Sequence, residues 1–332
     1  MARVVYSRRE AKSTQQVLSE HVLKWERMMI KPRRVGHATF ETTDIEKQIA
    51  YWTEVAGLVL AEREKKRAFL ASKTGLLSIQ LEQSDRVHCT RLAFEVAPDS
   101  DFDALAKELA KDGIKSELRN DSIPGLGKVL TFKDNKDTSI DLFTDWKYLG
   151  SHHQVGGIGP LKLGHIAFHC PDVKAVGDFY AKVMGFKVSD WIEDWFVFMR
   201  CNTDHHTVNF IKGDKAELHH IAFELKDMSH MQNACEMFAM KKIRILWGPV
   251  RHGPGHNVAT YHRNPDEHTV ELYIELDQMK DEALGYFDPK PWHRDTPQYP
   301  KTWKRTESTI WGLPPVPDYR RGSGVPRVGE QE

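Results

Sequence analysis

The chain has 332 residues, of which 40% are hydrophobic, and its 47 Lys and Arg side chains equal its 47 Asp and Glu side chains in number. That length favours two domains, and the balanced charge lacks the basic field that nucleic acids and anionic membranes require, so we expect neither as a partner. The four Cys residues are widely spaced, and no stretch resembles an export signal or a membrane span, so the sequence favours a cytoplasmic protein with reduced thiols.

Taken in chain order, the predicted elements divide the protein into four parts. Residues 1–33 form a charged N-terminal extension with one expected helix near residues 14–29, and two modules follow at residues 34–150 and 160–278. Residues 279–332 form a C-terminal tail rich in Pro, Trp, Tyr and Arg. We expect this tail to pack over the body as an active-site lid, or to form a subunit contact, because its aromatic side chains are costly to leave in water: Trp292, Trp303, Trp311 and Tyr319.

The two modules are predicted from an internal repeat. The segments "GHATFETTDIEKQIAYWTEVAGLVL", from Gly36, and "GHIAFHCPDVKAVGDFYAKVMGFKV", from Gly164, both read as a strand, a helix-capping Asp, an amphipathic helix and a Gly before a second strand. Further on, "TRLAFEV" from Thr90 matches "HHIAFEL" from His219, and "SIDLF" matches "TVELY". Landmarks at nearly constant separation indicate two homologous modules.

The second module shows its elements most clearly. The hydrophobic pattern predicts helices near residues 173–184 and 228–240. It predicts strands near residues 163–169, 196–200, 207–211, 218–225, 257–263 and 269–275. Because the helices are separated by groups of strands, this order favours an α+β fold with mixed or antiparallel sheets over a doubly wound parallel fold.

Histidine is concentrated in the second half of the chain, where three residues of the repeat are candidates for metal ligands. The first strand of the module's first half carries His165, and the first strand of its second half carries His220. The last strand of the module carries Glu271. Because side chains alternate along a strand, "GHIAF" and "HHIAF" in the same register point both histidines to one side, which selects His220 over His219. Glu275 is the weaker alternative to Glu271. Two imidazoles and a carboxylate leave three metal positions open, an arrangement typical of non-heme Fe(II), although zinc could use the same ligands.

The first module supplies an internal comparison. Its equivalent residues are His37, Arg91 and Asp141. The guanidinium of an Arg is a permanent cation and cannot serve as a metal ligand. We therefore expect the first module to be metal-free.

Four blocks of the second module carry a resemblance to a known family: "LGHIAFHCPDV", "HHTVNF", "LHHIAFEL" and "RHGPGHNVATYHRNPDEHTVELY". They resemble the type I extradiol ring-cleaving dioxygenases of the vicinal oxygen chelate superfamily, particularly homoprotocatechuate 2,3-dioxygenase and the catechol 2,3-dioxygenases. The resemblance covers roughly residues 34–320. It implies that each module consists of two βαβββ units forming a partial barrel, that the second module holds the metal, and that the protein is a homotetramer.

The resemblance also implies an activity and the residues that perform it. By position, the family's metal ligands fall on His165, His220 and Glu271. Its catalytic residues fall on His206, His252 and Tyr261. The implied cofactor is Fe(II), with Mn(II) in some relatives, and the substrates are a catechol and O2. The enzyme opens the ring next to the two hydroxyls, with His206 as acid and base and with His252 and Tyr261 bonding the substrate oxygens.

The remaining histidines of these blocks have no implied role. Strand alternation predicts that His205 and His206 face opposite sides, which leaves His205 at the surface or in packing. His256, His262 and His268 are expected to be solvated loop residues.

Two departures from the homoprotocatechuate enzymes bear on the substrate. The resemblance implies an Arg before the Gly-rich turn and another before the "WG" of the tail, which hold a carboxylate; this chain has Trp247 at the first place and Ser308 or Glu307 near the second. Trp247 is therefore expected to line the substrate pocket, which favours a neutral or aromatic-substituted catechol. Two alternatives stay open: another metal-dependent enzyme on this scaffold, similar to glyoxalases or epimerases, and a protein that only binds an aromatic ligand.

Overall fold

One order of elements, a strand followed by a helix and three more strands, occurs four times in the computed structural model, which describes residues 30–120, 123–150, 156–287, 299–320 and 322. The first two units contain β1 (Pro32–Thr42), α1 (Ile45–Glu54), β2 (Val59–Arg63), β3 (Arg67–Ala71), β4 (Leu77–Gln83), β5 (His88–Val96), α2 (Phe102–Lys111), β6 (Ser116–Asn120), β7 (Lys128–Lys133) and β8 (Ser139–Phe143). The next two contain β9 (Lys162–Cys170), α3 (Val173–Lys182), β10 (Lys187–Ile192), β11 (Phe196–Arg200), β12 (Val208–Lys212), β13 (Glu217–Glu224), α4 (Met228–Met240), β14 (Trp247–His252), β15 (Val258–Arg263) and β16 (Thr269–Ile274). The predicted α+β fold of βαβββ units is confirmed.

Each pair of units forms one sheet, with the first strands of the two units at its centre. The first sheet has the order β2-β3-β4-β1-β5-β8-β7-β6, and the second contains β10-β11-β12-β9-β13-β16-β15-β14. The central pairs β1/β5 and β9/β13 are antiparallel, whereas each central strand is parallel to its outer neighbour. This topology places the repeated "GH" motifs at the middle of each sheet.

The tail extends the second sheet at both edges. Its elements are β17 (Met279–Asp281), β18 (Tyr286–Phe287), β19 (Lys301–Trp303), a 3₁₀ helix at Arg305–Glu307, β20 (Thr309–Trp311) and a 3₁₀ helix at Pro317–Arg320. Strand β19 pairs in parallel with β10, and β20 pairs antiparallel with β14. The described part of the tail therefore lies against the body. Trp292 and the expected helix near residues 14–29 lie outside the described residues.

An Asp side chain starts each of the four α-helices found in the described residues. Asp44, Asp101, Asp172 and Asp227 each accept a hydrogen bond from a backbone N–H of the first helical turn. This cap satisfies donors that have no partner within the helix. Among the described residues, no helix has the length and apolar character needed to cross a bilayer.

The helices and the inner faces of the two sheets share one hydrophobic core. The indole of Trp52, from α1, is 1% exposed and lies 5.6 Å from the ring of Phe223 in β13. The Tyr51 hydroxyl lies 2.6 Å from His262 Nε2 across the same boundary. Burying a large apolar side chain contributes about 1.5–3 kcal/mol, so this contact holds the two modules together. The opposite face of the second sheet carries the candidate site.

Candidate metal centre and active site

A row of side chains crosses five strands on the face of the second sheet that is turned away from the shared hydrophobic core. His165 of β9 pairs with Ala222 of β13, and Ala222 pairs with Glu271 of β16. Glu271 pairs in turn with Tyr261 of β15, and Tyr261 pairs with Trp247 of β14. Directly opposed residues of neighbouring strands project to the same side. The row therefore places an imidazole, a carboxylate, a phenol and an indole on one face.

His165, His220 and Glu271 form a cluster with the spacing of metal ligands. One ligand-type atom from each lies within 4.8 Å of the others. Glu271 Oε2 is 3.2 Å from His165 Nε2 and 3.2 Å from His220 Nε2. Adjacent ligands with bonds of about 2.1 Å to a shared ion lie roughly 3 Å apart, so the separations match. All three residues are buried, and His220 Nε2 has no hydrogen-bond partner, so the donor set fits a divalent cation.

Burial favours the neutral form of three imidazoles at this site. Removal from water lowers the pKa of His220 well below its usual value, and the charges of His219 and other histidines add to the effect. Burial likewise lowers the pKa of His206 and of His252. A neutral imidazole offers one nitrogen lone pair, which is the form that binds a metal or accepts a proton.

The side-chain amide of Asn257 orients Glu271. Its Nδ2 donates a hydrogen bond to Glu271 Oε1 at 3.0 Å, so that Oε2 faces the two histidines. Hydrogen bonds of this kind hold a ligating carboxylate in place and raise metal affinity. Sequence reasoning missed Asn257, although it lies within the long block that carries the family resemblance.

The cluster lines a cavity of about 610 Å³. Side chains from all eight strands β9 to β16 contribute to its wall, so the sheet curls around it as a partial barrel. Much of the wall is aromatic: Trp195, Phe196, Phe198, Trp247 and Tyr319. The ring of Trp247 stacks on that of Tyr261 with centroids 5.3 Å apart. A cavity of this size can enclose a drug-sized ligand.

The three side chains predicted as catalytic line the same cavity. The ring of His206 lies 4.3 Å from that of His165, between centroids. His252 Nε2 is 2.7 Å from the Tyr261 hydroxyl, and the Tyr261 ring lies 5.9 Å from that of His220. Burial, reinforced by the charge of Glu271, raises the pKa of Tyr261 well above its usual value. Tyr261 therefore keeps its proton and can donate a hydrogen bond.

The expectation for His205 needs correction. Strand β12 begins at Val208, so the alternation argument does not apply to His205 and His206, which precede it. Their Nδ1 atoms lie 3.0 Å apart, and His205 is 1% exposed. His205 Nε2 also lies 3.1 Å from Asp190 Oδ2. His205 is therefore a buried, hydrogen-bonded neighbour of His206 and not a surface residue.

The expectation of solvated loop positions is wrong for His256, His262 and His268, which are all buried. His256 Nδ1 lies 2.6 Å from Asp277 Oδ2, and His262 bonds the Tyr51 hydroxyl. The ring of His268 packs 5.2 Å from that of Phe40. Tertiary partners, rather than solvent, surround these imidazoles.

Glu275 and His219, the alternatives to Glu271 and His220, lie in different surroundings. Glu275 follows the end of β16 with a positive φ of 57° and pairs with Arg251 at 2.8 Å, away from the cluster. His219 lines the cavity, and its Nδ1 contacts Nδ1 of His220. His219 is therefore placed to orient His220.

The equivalent positions of the first module hold an ion pair. Arg91 Nη1 lies 2.5 Å from Asp141 Oδ1, and Arg119 Nη2 lies 3.1 Å from Asp141 Oδ2. His37 is buried without a hydrogen-bond partner for either ring nitrogen, and burial lowers its pKa to about 3. The carboxylate that corresponds to Glu271 is thus neutralised by guanidinium groups.

The tail covers part of the cavity. Six residues of the tail line it: Arg305, Ser308, Thr309, Pro315, Tyr319 and Arg320. Trp247 Nε1 donates to the Leu313 carbonyl at 2.9 Å, which ties the cavity wall to the tail. Arg305 lies over the Trp195 ring at 4.8 Å and pairs with Glu193 at 3.1 Å. Besides the predicted Trp247, the cavity wall therefore contains the exposed guanidinium groups of Arg305 and Arg320, which sequence analysis did not identify.

Comparisons with known proteins first define the class of the fold. A sequence profile of the Glyoxalase/Bleomycin resistance protein/Dioxygenase superfamily matches residues 162–272, which include the whole His–His–Glu cluster. The Mn(II)-bound glyoxalase from Novosphingobium aromaticivorans has a TM-score of 0.77 at 24% identity, over 91% of this chain and 97% of that one. Homoprotocatechuate 2,3-dioxygenase from Brevibacterium fuscum, in complex with 3,4-dihydroxyphenylacetate, has a TM-score of 0.75 at 22% identity, over 89% and 94%. The predicted vicinal oxygen chelate fold is confirmed.

Proteins of similar sequence then indicate which enzymes of this fold class the chain resembles. Metapyrocatechase from Pseudomonas sp. (strain CF600) is 22% identical over 279 residues, which cover 78% of this chain and 89% of that protein. A protein named Iron-dependent extradiol dioxygenase, from Rhodococcus jostii (strain RHA1), is 21% identical over 278 residues, which cover 76% and 92%. The predicted resemblance to the extradiol dioxygenases is therefore confirmed.

Proposed function

We propose that the protein is an extradiol dioxygenase, which opens the ring of a catechol with O2 next to the two hydroxyls. One observation carries the proposal: the cluster of His165, His220 and Glu271 shares a cavity with an imidazole base and a hydrogen-bonded imidazole–phenol pair. Metal-dependent hydrolysis would need only the cluster and a water, whereas ring opening also needs groups that move protons at the substrate oxygens. The relatives named as extradiol dioxygenases support the same activity.

The proposed cofactor is one Fe(II) ion held by His165, His220 and Glu271, with Mn(II) as the alternative. Two imidazoles and one carboxylate leave positions for both catechol oxygens and O2. When bound, the metal supplies the redox chemistry that couples ring electrons to O2. The relative named iron-dependent supports iron, and the Mn(II)-bound glyoxalase is an example of manganese in the same fold.

The chain's own side chains handle protons and orientation in this proposal. His206 is neutral because it is buried, so a ring nitrogen accepts the proton of a catechol hydroxyl and returns it during ring opening. Tyr261 and His252, whose hydroxyl and Nε2 lie 2.7 Å apart, hydrogen-bond the substrate oxygens in this proposal. Asn257 keeps the Glu271 carboxylate aligned.

The proposed substrate is a neutral catechol with a bulky aromatic substituent. The cavity of about 610 Å³ has room for more than one ring, and Trp247, Phe196 and Phe198 offer flat apolar surfaces to it. Arg305 is already engaged by Glu193 and Trp195. A strong kinetic preference for carboxylated catechols would contradict this choice and would assign the substituent to Arg305 and Arg320.

Three further features belong to the same proposal. The tail, residues 279–332, serves as a lid, because six of its described residues line the cavity. The first module, residues 34–150, serves as a scaffold for the catalytic module, residues 160–278. The resemblance favours a homotetramer, and the widely spaced Cys residues favour a cytoplasmic location; light scattering coupled to size exclusion tests the assembly.

The activity is tested by loading the metal-free protein with Fe(II) under anaerobic conditions and adding catechol or a biaryl catechol in air. The expected result is a yellow ring-opened product with one O2 consumed per catechol. His165→Ala should abolish the product, whereas His37→Ala, at the position of the first module that corresponds to His165, should retain it. Absence of product with every catechol would overturn the proposal.

A second candidate is a glyoxalase-type enzyme, which the TM-score of 0.77 to the Mn(II)-bound glyoxalase favours. Such an enzyme would use the same cluster without O2. The oxygen electrode separates the two, because the dioxygenase consumes O2 and the alternative does not. Binding of a catechol without O2 uptake or product would instead indicate a protein that only binds an aromatic ligand.

A further inference from the structure

A chain of buried hydrogen bonds links the tail to His206. Asp190, in β10, accepts hydrogen bonds on both carboxyl oxygens from tail residues: Lys301 N donates to Oδ1 at 3.0 Å, and Trp303 Nε1 donates to Oδ2 at 2.8 Å. A backbone amide and an indole can only donate, so Asp190 acts as an acceptor on both sides. His205 Nε2 lies 3.1 Å from the same Oδ2, and His205 Nδ1 lies 3.0 Å from His206 Nδ1.

The direction of each further hydrogen bond follows from the role of Asp190 as an acceptor. Because Asp190 accepts, His205 must donate from Nε2. The two Nδ1 atoms lie 3.0 Å apart, so one of them donates to the other; when His205 carries its single ring proton on Nε2, its lone pair is on Nδ1 and His206 donates from its own Nδ1. The lone pair of His206 consequently lies on Nε2, the ring nitrogen that the pair with His205 does not occupy.

We propose that His205 is a positioning residue which, together with Asp190, fixes the tautomer of His206 so that Nε2 can accept a proton from the substrate. This inference rests on the proposed function of His206 as the base. It adds a role for the tail: β19 pairs with β10 in the register Asp190↔Lys301, so docking of the tail supplies two donors that hold the Asp190 carboxylate in place. His205 and Asp190 are 1% and 5% exposed, so solvent does not compete for these bonds.

The test is the ¹⁵N NMR spectrum of the imidazoles in the full-length, metal-free protein. The His206 signals are assigned by their loss in His206→Gln. The wild type should show His206 with a protonated Nδ1 and an unprotonated Nε2. Asp190→Asn combined with Trp303→Phe leaves the amide oxygen to accept from Lys301 N and places the amide NH2 opposite His205 Nε2, which reverses every link and should exchange the two His206 signals. A wild-type His206 protonated at Nε2 overturns the proposal without any variant.

The matched control is Asp277→Asn. Asp277 Oδ2 lies 2.6 Å from His256 Nδ1 in a second buried Asp–His pair. The side chains of this pair are not part of the chain of hydrogen bonds that links the tail to His206. This variant should leave the His206 signals as they are in the wild type. If both Asp variants shift His206 alike, the effect is general destabilisation and the proposal fails.

Kinetics give a second readout on the Fe(II)-loaded enzyme. Asp190→Asn combined with Trp303→Phe should lower kcat by roughly 100-fold or more, with KM little changed, because correct acid–base placement contributes about 10²–10⁴-fold. Trp303→Phe removes one donor but leaves Asp190 an acceptor, so it should keep the wild-type tautomer. If the wild type opens no catechol while its NMR tautomer is as predicted, the proposed function fails and the positioning role of His205 stands.

Discussion

Acid should destabilise the protein through buried histidines that belong neither to the metal cluster nor to the proposed catalytic residues. His37, His262 and His268 are at most 3% exposed, and burial lowers the pKa of each from 6.5 to about 3. Each accepts a proton near pH 6.5 in the unfolded chain but only near pH 3 in the folded one. Their stability contribution is therefore complete above about pH 6.5 and is lost as the pH falls toward 3. Between about pH 7.5 and about pH 5.5, one such histidine costs about 1.4 kcal/mol and three cost about 4 kcal/mol.

Urea unfolding of the metal-free protein at these two pH values measures the loss. Comparing the wild type with His262→Gln isolates one residue, because every other titrating group is shared. Gln retains a polar partner for the Tyr51 hydroxyl, which bonds His262 in the wild type. The variant should lose about 1.4 kcal/mol less than the wild type on acidification. Equal losses in the two proteins would refute the assignment of His262 as a buried neutral imidazole.

Three other substitutions probe the site and its support. Asn257→Ala should weaken Mn(II) binding in calorimetry by about 10–100-fold, because Glu271 loses the donor that orients it; unchanged affinity would contradict this. Gly164→Ala should destabilise the protein by about 1–3 kcal/mol in thermal melts, because the new methyl group would overlap the Tyr273 hydroxyl, and an unaltered melting temperature would count against that packing. Trp247→Ala should raise KM for a biaryl catechol far more than for catechol itself, whereas equal changes would remove Trp247 from the substrate wall.

The cluster could be predicted from the sequence because it is built from strand positions that an internal repeat relates. His165 and His220 occupy equivalent places in two units, and the period of the strand fixes the side to which each points. Gly164 precedes His165 for a reason that only the packing reveals, since its missing side chain makes room for Tyr273.

The surroundings of the cluster could not be predicted in the same way, because they depend on contacts between distant segments. Asp190 and Trp303 are joined only when β19 docks on β10, and no local pattern indicates that pairing. Strand β14 was not placed beforehand, because its "WGPVRH" contains Gly and Pro, which are unusual inside strands. The burial of His256 likewise depends on Asp277, which the sequence places 21 residues away.

The central claim is that two imidazoles and one carboxylate hold a single metal with part of its coordination sphere open. Anomalous diffraction at the iron edge, from crystals soaked anaerobically with Fe(II), tests it most directly. The expected result is one strong peak in bonding contact with His165 Nε2, His220 Nε2 and Glu271 Oε2, and with no other protein atom. A peak elsewhere in the chain, or an ion enclosed by further protein ligands, would contradict the account.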